Sequence, residues 1–383
     1  MVKSREYKTW IEISKNSLAN NIKTFRSILT SKTKLFAVVK SNAYGHGLMV
    51  FSKLADELGV QGFCVDSVAE GHTLREIGIQ KPILVLGPTL PSRLSEAAAD
   101  DVILTVSNFE ALAALIESKV KADFHLKVDT GLHRQGFYFD DLNKVLKILK
   151  QWPQAHGQFK GVYTHFAAAK DITYPYYTLG QIEVFKKTKE LFLKAGFKNL
   201  MFHAAATGGT ILYPQSHFDL VRVGMGLYGY WPTGEALAQH SLIWRRNLGL
   251  KPVLSWRALI SEIKNLKAGD FVGYDLTCKI CRDTKSAIIP VGYWHGFPRS
   301  LSNKGRTLVR GDYAKVLGRV AMDLLTVELP EGIKTKVGET ATLIGREKEK
   351  TITAHDLAIL AETSVYETLT RLNPLIKRDV FNS

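Results

Sequence analysis

The amino-acid sequence predicts an α/β protein: a (β/α)8, TIM-like barrel followed by a C-terminal, mainly β domain. The first observation behind this is repetition. Eight short apolar runs occur at Leu35–Val39, Phe63–Val65, Ile83–Leu86, Val102–Val106, Phe124–Val128, Gly161–Tyr163, Leu200–Phe202 and Leu220–Val223. Continuous apolar runs of this kind read as strands buried on both faces. Between them lie stretches of helical spacing, such as Ile182, Phe185 and Leu191-Phe192. Strands alternating with helices imply βαβ units and a parallel sheet, and eight of them over about 200 residues fit a barrel.

The second observation is a change of pattern near Trp244. Strand-like pieces take over, at Pro252–Leu259, Phe271–Tyr274, Ala287–Val291, Thr307–Val309, Ala314–Leu317, Leu325–Leu329 and Thr340–Ile344. Gly, Pro and Asp separate them, as in an all-β domain. One helix is expected at about His355–Glu362. The boundary is therefore placed at about residue 240, with the barrel over 12–240 and the β domain over 241–383. The third observation excludes a rival. An open doubly wound sheet usually carries a Gly-rich phosphate loop after its first strand. Here that position holds Lys40, Gly45-x-Gly47 is not GxGxxG, and no GxxxxGK[ST] occurs anywhere.

Taken in order, Thr9–Ile13 alternates like a strand. Ser14–Ile28 then reads as a helix with Leu18, Ile22, Phe25 and Ile28 on one face. The composition, 45% hydrophobic and 23% charged, is that of a globular chain with sizeable cores. No apolar run approaches the roughly 18 residues of a membrane span, and the start lacks a signal-peptide core, so a cytoplasmic location and no membrane partner are expected. The net charge is +15. Its lysines and arginines are scattered, in pairs such as Lys186-Lys187 and Arg245-Arg246, with no aromatic interleaving. This argues against nucleic acid and for a basic surface or an anionic small ligand. Three cysteines form no disulfide framework. Cys278-x-x-Cys281 has no second ligand pair and reads as two positions on a strand, so no metal is expected.

The chemistry concentrates at Leu35-Phe36-Ala37-Val38-Val39-Lys40-Ser41-Asn42-Ala43-Tyr44-Gly45-His46-Gly47. A lysine at the C-terminal end of a buried strand stands where parallel α/β folds carry chemistry. Partial burial eases loss of its proton, and the free amine can hold an aldehyde as a Schiff base. A lysine snorkelling at a strand end is the plain alternative. The stretch resembles the lysine signature of the alanine racemase family, barrel enzymes that use pyridoxal 5′-phosphate, and departs from it only at Ser41. Similar likenesses recur along the chain. Lys127-Val128-Asp129-Thr130-Gly131 with Arg134 matches except that His133 replaces a small glycine. Val272-Gly273-Tyr274-Asp275, Gly292-Tyr293-Trp294-His295-Gly296 and Gly318-Arg319-Val320-Ala321-Met322-Asp323 resemble three segments of the family's second domain.

The resemblance implies roles. Lys40 holds the cofactor, and Tyr44 lies close by. Lys127 is carbamylated by CO2 to N6-carboxylysine and orients Arg134, which reaches the substrate carboxylate. His165 packs against the pyridine ring, and His203 bonds the arginine below it. That arginine, Arg222, faces the pyridine nitrogen and leaves it unprotonated, since adjacent positive charges repel; a salt bridge to a structural carboxylate is the alternative for an arginine inside an apolar strand. Thr207, Gly224, Met225 and Tyr366 receive the phosphate, with Ala206 standing where asparagine is usual. Met322 offers its backbone N–H to the substrate, and Tyr293, Arg299 and Arg319 line the entrance. Tyr274 alone would read as strand packing; by resemblance it is the second proton carrier and enters the partner subunit's site. The N-terminal strand, 7–13, joins the β domain. The expected activity is interconversion of L- and D-alanine by a homodimer, supplying D-alanine for peptidoglycan. A racemase of serine or of broad specificity, a barrel-type decarboxylase and a non-catalytic carrier of the cofactor are the alternatives.

Overall fold

The computed structural model describes residues 6–171, 175–234, 236–238 and 248–381. The expected boundary at 240–241 and the pattern change at Trp244 lie outside the described residues. Two compact units emerge, one of Ser17–Ser41 and Ser52–Lys251, the other of Met1–Asn16, Asn42–Phe51 and Pro252–Ser383.

The chain opens with β1 (Thr9–Ser14) and a helix, Lys15–Arg26, that buries Leu18, Ile22 and Phe25. Eight parallel strands follow in the first unit. They are β2 (Lys34–Val38), β3 (Gly62–Val65), β4 (Ile83–Val85), β5 (Leu104–Val106), β6 (Phe124–Lys127), β7 (Phe159–Tyr163), β8 (Met201–His203) and β9 (Leu220–Val223). Each apolar run thus forms a strand, because its residues are covered on both faces. The strands pair in the orders β4-β3-β2-β9 and β5-β6-β7-β8. Parallel bridges Leu84–Ile103 and Ala206–Arg222 join the two groups and close the barrel. Helices start where capping chemistry sits: Ser67 accepts from the Glu70 N–H and Asn108 from the Ala111 N–H. Barrel strands end at Val38, Lys127, Tyr163, His203 and Val223, so the residues around these ends share one rim.

The second unit is mostly one sheet. Its remaining strands are β10 (Leu254–Leu259), β11 (Glu262–Leu266), β12 (Thr284–Ile289), β13 (Arg306–Val309), β14 (Asp312–Leu317), β15 (Leu325–Leu329), β16 (Thr340–Glu347), β17 (Lys350–Ile352) and β18 (Lys377–Phe381). The order is β11-β12-β15-β14-β13-β16-β10-β1-β18, with β17 on β16. β1 pairs antiparallel with β10 and parallel with β18. The helix near the end runs over Ala354–Leu360, capped by Thr353, and a second, Val365–Thr370, follows.

Two expectations are corrected. Phe271–Tyr274 is not a strand: Phe271 makes a single bridge to Lys279, and Tyr274 lies in a short 3-10 turn. Gly273, Asp275 and Leu276 there have φ of 76°, 61° and 50°, the left-handed region that breaks a strand. Cys278 and Cys281 lie in the same irregular stretch rather than on a strand. Cys278 packs on Val272, Ile280 and Leu317, and Cys281 is exposed.

Close packing inside the barrel unit gives a stability test. A Cβ at Gly226 would lie 2.2 Å from Cζ of the buried Phe25, whereas one at Gly157 would meet nothing within 4 Å. Gly226→Ala is expected to cost about 1–3 kcal/mol by overpacking, and Gly157→Ala to be neutral or slightly stabilising. Urea midpoints of the two variants check this; equal midpoints would refute the packing account.

Candidate active site

Lys40 follows β2 directly. Its Nζ lies 3.2 Å from Oδ1 of Asp66, just past the end of β3. The Glu70 carboxylate accepts from the Ser41 and Asp66 N–H groups, both at 2.7 Å, and so fixes the backbone on either side of the pair. Sequence reasoning missed both acids, since nothing local marks them. Beyond Lys40 the chain makes a left-handed turn: Ser41, Asn42, Ala43 and Tyr44 have φ of 55°, 56°, 51° and 51°. L-residues disfavour this by roughly 1–2 kcal/mol each. The turn is tied internally by His46 N–H to the Ala43 carbonyl and by Gly47 N–H to the Asn42 carbonyl, both 3.0 Å.

Arg222 on β9 is buried, and among the described residues it meets no carboxylate. Its Nη2 donates to the Thr164 and Ala204 carbonyls at 2.8 and 2.9 Å, and its Nη1 to Nδ1 of His203. Nε–H and the second Nη1–H make no hydrogen bond among the described residues. The expected contact between His203 and this arginine is therefore present. Because Nδ1 of His203 accepts, its Nε2–H donates to Nδ1 of His125 at 2.8 Å. His125, another residue the sequence did not single out, then ends the chain with an Nε2–H that has no partner among the described residues. Burial, then the Arg222 charge, pushes His125 down to about 3 and His203 well below the usual imidazole range. Tyr163 stacks on His203 with centroids 4.8 Å apart, its hydroxyl 2.9 Å from Thr105.

Lys127 ends β6, buried. Burial first, then Arg134 and Arg222, brings it down to about 8. Its Nζ donates to Oε1 of Gln135 at 2.9 Å, and Gln135 donates to Ser107 at 3.2 Å. Asp129 shapes the loop that carries Arg134, accepting from the N–H groups of Gly131, Leu132, His133 and Arg134 at 2.8–3.1 Å. Burial would raise this carboxyl, but the four amides outweigh it and hold it below its usual range. His133 occupies a left-handed position, φ 55°, where glycine is the easy choice; its ring turns to Tyr138, centroids 6.0 Å apart, and not to Lys127. His165 is brought down to about 3 by burial and then by Arg222, Lys127, Arg134 and Lys40. Thr207 Oγ1 accepts from the Gly224 and Gly226 N–H groups at 3.2 and 3.3 Å, so the Gly224 donor already has a partner. Ala206 is the N-cap of Thr207–Leu212 and contributes no side-chain bond there. Met225 is buried.

In the second unit the rings of Tyr44 and Tyr366 lie 6.1 Å apart, and burial raises the Tyr366 phenol. Tyr274 is 70% exposed and Met322 55%. Tyr293 is exposed too, its N–H on the Ala321 carbonyl at 3.0 Å, and Arg319 pairs with Asp275 at 3.0 Å. Arg299 is exposed at the start of a 3-10 turn.

These residues fit pyridoxal 5′-phosphate. Lys40, Lys127, Arg134 and Arg222 all act on His165 as cations, a surplus that suits an anionic phosphate and a substrate carboxylate. Arg222 keeps Nε–H and one Nη1–H as donors that could meet a ring nitrogen. The amine that would hold the aldehyde stands at the strand end.

Residues 13–232 match the family model described as alanine racemase, N-terminal domain, and residues 253–380 the one described as alanine racemase, C-terminal domain. The chain is 37% identical over 376 residues to an alanine racemase of Leptospira interrogans, covering 98% of this chain and 96% of that one. It is 34% identical over 374 residues to that of Symbiobacterium thermophilum, covering 97% and 96%. It also resembles the crystal structure of an alanine racemase from Bacillus anthracis with bound L-Ala-P, with a TM-score of 0.90, 30% identity and coverage of 98% and 95%.

The buried histidines make stability acid-sensitive. His125 titrates near 6.5 when unfolded and at about 3 when folded. Between those values the unfolded chain holds more protons, so the stability is complete above about pH 6.5 and is lost as pH falls toward 3. His125→Gln is expected to flatten the fall by about one proton, ~1.4 kcal/mol per pH unit. Urea midpoints measured from pH 7 to pH 4 check it; an unchanged slope would mean that His125 is not held neutral.

Proposed function

The chain belongs to the alanine racemase family, and we propose that Lys40 and Tyr274 are the two proton carriers of its reaction. It is an amino-acid racemase that interconverts L- and D-alanine, with pyridoxal 5′-phosphate as cofactor. When bound, the cofactor draws electron density from the substrate Cα and so makes its proton removable. Everything else is the work of side chains. Racemisation takes a proton from one face of Cα and returns one to the other, which two opposed groups do without turning the substrate over. Lys40 takes the proton of the D-enantiomer at Nζ, and the Tyr274 hydroxyl takes that of the L-enantiomer.

The observation that carries this reading is Arg222, a buried cation with carbonyl and imidazole partners and with N–H donors to spare. Facing the ring nitrogen of a bound cofactor, it would keep a second positive charge away, weakening electron withdrawal and favouring return of the proton over side reactions. A decarboxylase would set an acid there. By the family resemblance His165 would cover the ring, and Thr207, Met225, Tyr44 and Tyr366 would hold the phosphate, together with Gly224 once its N–H leaves Thr207. Arg134 and the Met322 N–H hold the substrate carboxylate. Lys127, brought down to about 8, gives up its ammonium proton more readily than a free lysine, and its neutral amine adds CO2: the nitrogen bonds to carbon, a further proton leaves, and the resulting anion faces Arg134. Gln135 serves either form by turning its amide.

The active form is a homodimer in which Tyr274 and Met322 complete the partner's site, with Tyr293, Arg299 and Arg319 at its entrance. Supporting this, Phe271, Tyr274, Leu276, Tyr293, Trp294 and Met322 are all large and at least 43% exposed, and the Tyr293 and Trp294 N–H groups bond the Ala321 and Met322 carbonyls, which draws two of these segments together. The location is cytoplasmic, and the D-alanine goes to peptidoglycan.

Borohydride treatment of the holoprotein should fix the cofactor on Lys40 alone. Tyr274→Phe should lose at least about a hundredfold in racemisation while D-alanine, and not L-alanine, still exchanges its α-proton with deuterated solvent. Exchange of both enantiomers at the parent rate would remove Tyr274 from the mechanism. Chiral analysis of L-serine incubations separates a broad racemase from one restricted to alanine.

Assembly has its own test. Mixing inactive Lys40→Ala and Tyr274→Phe proteins under subunit exchange should restore activity, since one site of each hybrid keeps both groups. No recovery despite demonstrated exchange argues for sites within single protomers.

A further inference from the structure

Arg378 is a second buried guanidinium, far from Lys40 in sequence. It lies on β18, opposite Ile11 of β1. Among the described residues it too meets no carboxylate. Its Nη1 donates to the Asn373, Pro374 and Ile376 carbonyls at 2.8, 2.8 and 2.5 Å. Its Nη2 reaches the Leu372 carbonyl at 3.4 Å and the Gly45 carbonyl at 3.0 Å, and Nε also reaches Gly45, at 3.3 Å. Four of these acceptors belong to its own loop. The fifth belongs to the turn that leaves Lys40, and it takes two of the donors.

Other contacts bind the same two segments. A Cβ on Gly45 would lie 2.0 Å from the Leu369 carbonyl oxygen, and one on Gly47 3.3 Å from Cδ of Arg378. Both glycines have positive φ, 80° and 95°. The backbone of the turn therefore lies flat against the 365–378 segment, with no room for a side chain between. Tyr366 rises from that segment to meet the Tyr44 ring. A run of four non-glycine residues in the left-handed region holds only where surrounding structure over-determines it. The Arg378 fork supplies that restraint at the far end of the run.

We propose that Arg378 is a positioning residue: by gripping the Gly45 carbonyl it keeps the left-handed turn in place and sets Tyr44 beside Tyr366 for the cofactor phosphate. Arg378 touches neither cofactor nor substrate and acts through the turn. A planar fork is needed, because one group must satisfy five carbonyls set around it; the point charge of lysine cannot. The functional half of the inference rests on the reading of Tyr44 as a phosphate ligand.

The experiment compares full-length Arg378→Lys, with Arg378→Met as a second variant, against the parent, each freed of cofactor. Hydrogen exchange is followed in a peptide spanning 41–51 and in a reference peptide over β10. Loss of at least about tenfold protection in 41–51, with β10 unchanged, is expected; equal protection in 41–51 overturns the positioning role. Pyridoxal 5′-phosphate is then titrated into Tyr44→Phe, Arg378→Lys and the double variant. Each single change is expected to weaken binding at least fivefold, and the double no more than the worse single, since both act through one ring. Additive losses, or unchanged affinity in Arg378→Lys, reduce Arg378 to a structural strut. Should Tyr44→Phe alone bind normally, it is the role of Tyr44 that fails; Arg378 is then judged by the exchange data and by its own affinity change.

Discussion

Among the described residues Arg222 is a buried charge without a counter-charge, and much of the surrounding structure answers that fact. Removing a guanidinium from water costs several kcal/mol unless its donors are met. Here two carbonyls and one imidazole meet them. The imidazole must then be neutral, which fixes the tautomer of His203 and, through it, that of His125. Tyr163 lies flat on His203 and close under the guanidinium, whose Cζ is 5.0 Å from the ring centroid. An acid in the same place would have been the simpler solution for folding. Leaving it out keeps the barrel mouth positive, with Lys40, Lys127 and Arg134 adding to the field.

The loop of Asp129 shows the same economy of parts. One carboxylate orders four successive amides and thereby places Arg134. Lys127 sits one turn of chain away with a neutral amide as its partner instead of an acid. A positive rim thus coexists with well-ordered loops because the acids present bind backbone rather than the functional cations. Asp66 is the exception, and its pairing with Lys40 is half exposed, where such a pair is weak and easily exchanged for another partner.

Most of this architecture is legible in the residues. The eight apolar runs mark the barrel strands because a strand covered on both faces tolerates nothing else. Lys40 and Arg222 stand out because charged residues interrupt that rule. The edges read less well. Glu262–Leu266 forms β11 although its residues are mostly exposed and carry no apolar alternation, so no pattern announces it. Phe271–Tyr274 has strand-like composition, yet Gly273 and Asp275 turn left-handed and end the pairing after one bridge. The left-handed run from Ser41 to Tyr44 contains no glycine, and the contacts beside it, from Glu70 to Ser41 and from Arg378 to Gly45, are distant in sequence. Asp66, Glu70, Gln135 and His125 escape for the same reason: each matters through a neighbour that only the folded chain supplies.

The hydrogen bond from Arg378 to Gly45 spans 333 residues. Translation proceeds at roughly 5–20 residues per second, so Gly45 leaves the ribosome on the order of twenty to seventy seconds before its restraint exists. β1 waits as long for β18. During that interval the barrel strands, whose contacts are nearer in sequence, can assemble while the turn after Lys40 stays unshaped. The turn after Lys40 is thus completed late, and a nascent chain that stalls before residue 378 lacks the contact to the Gly45 carbonyl that closes it.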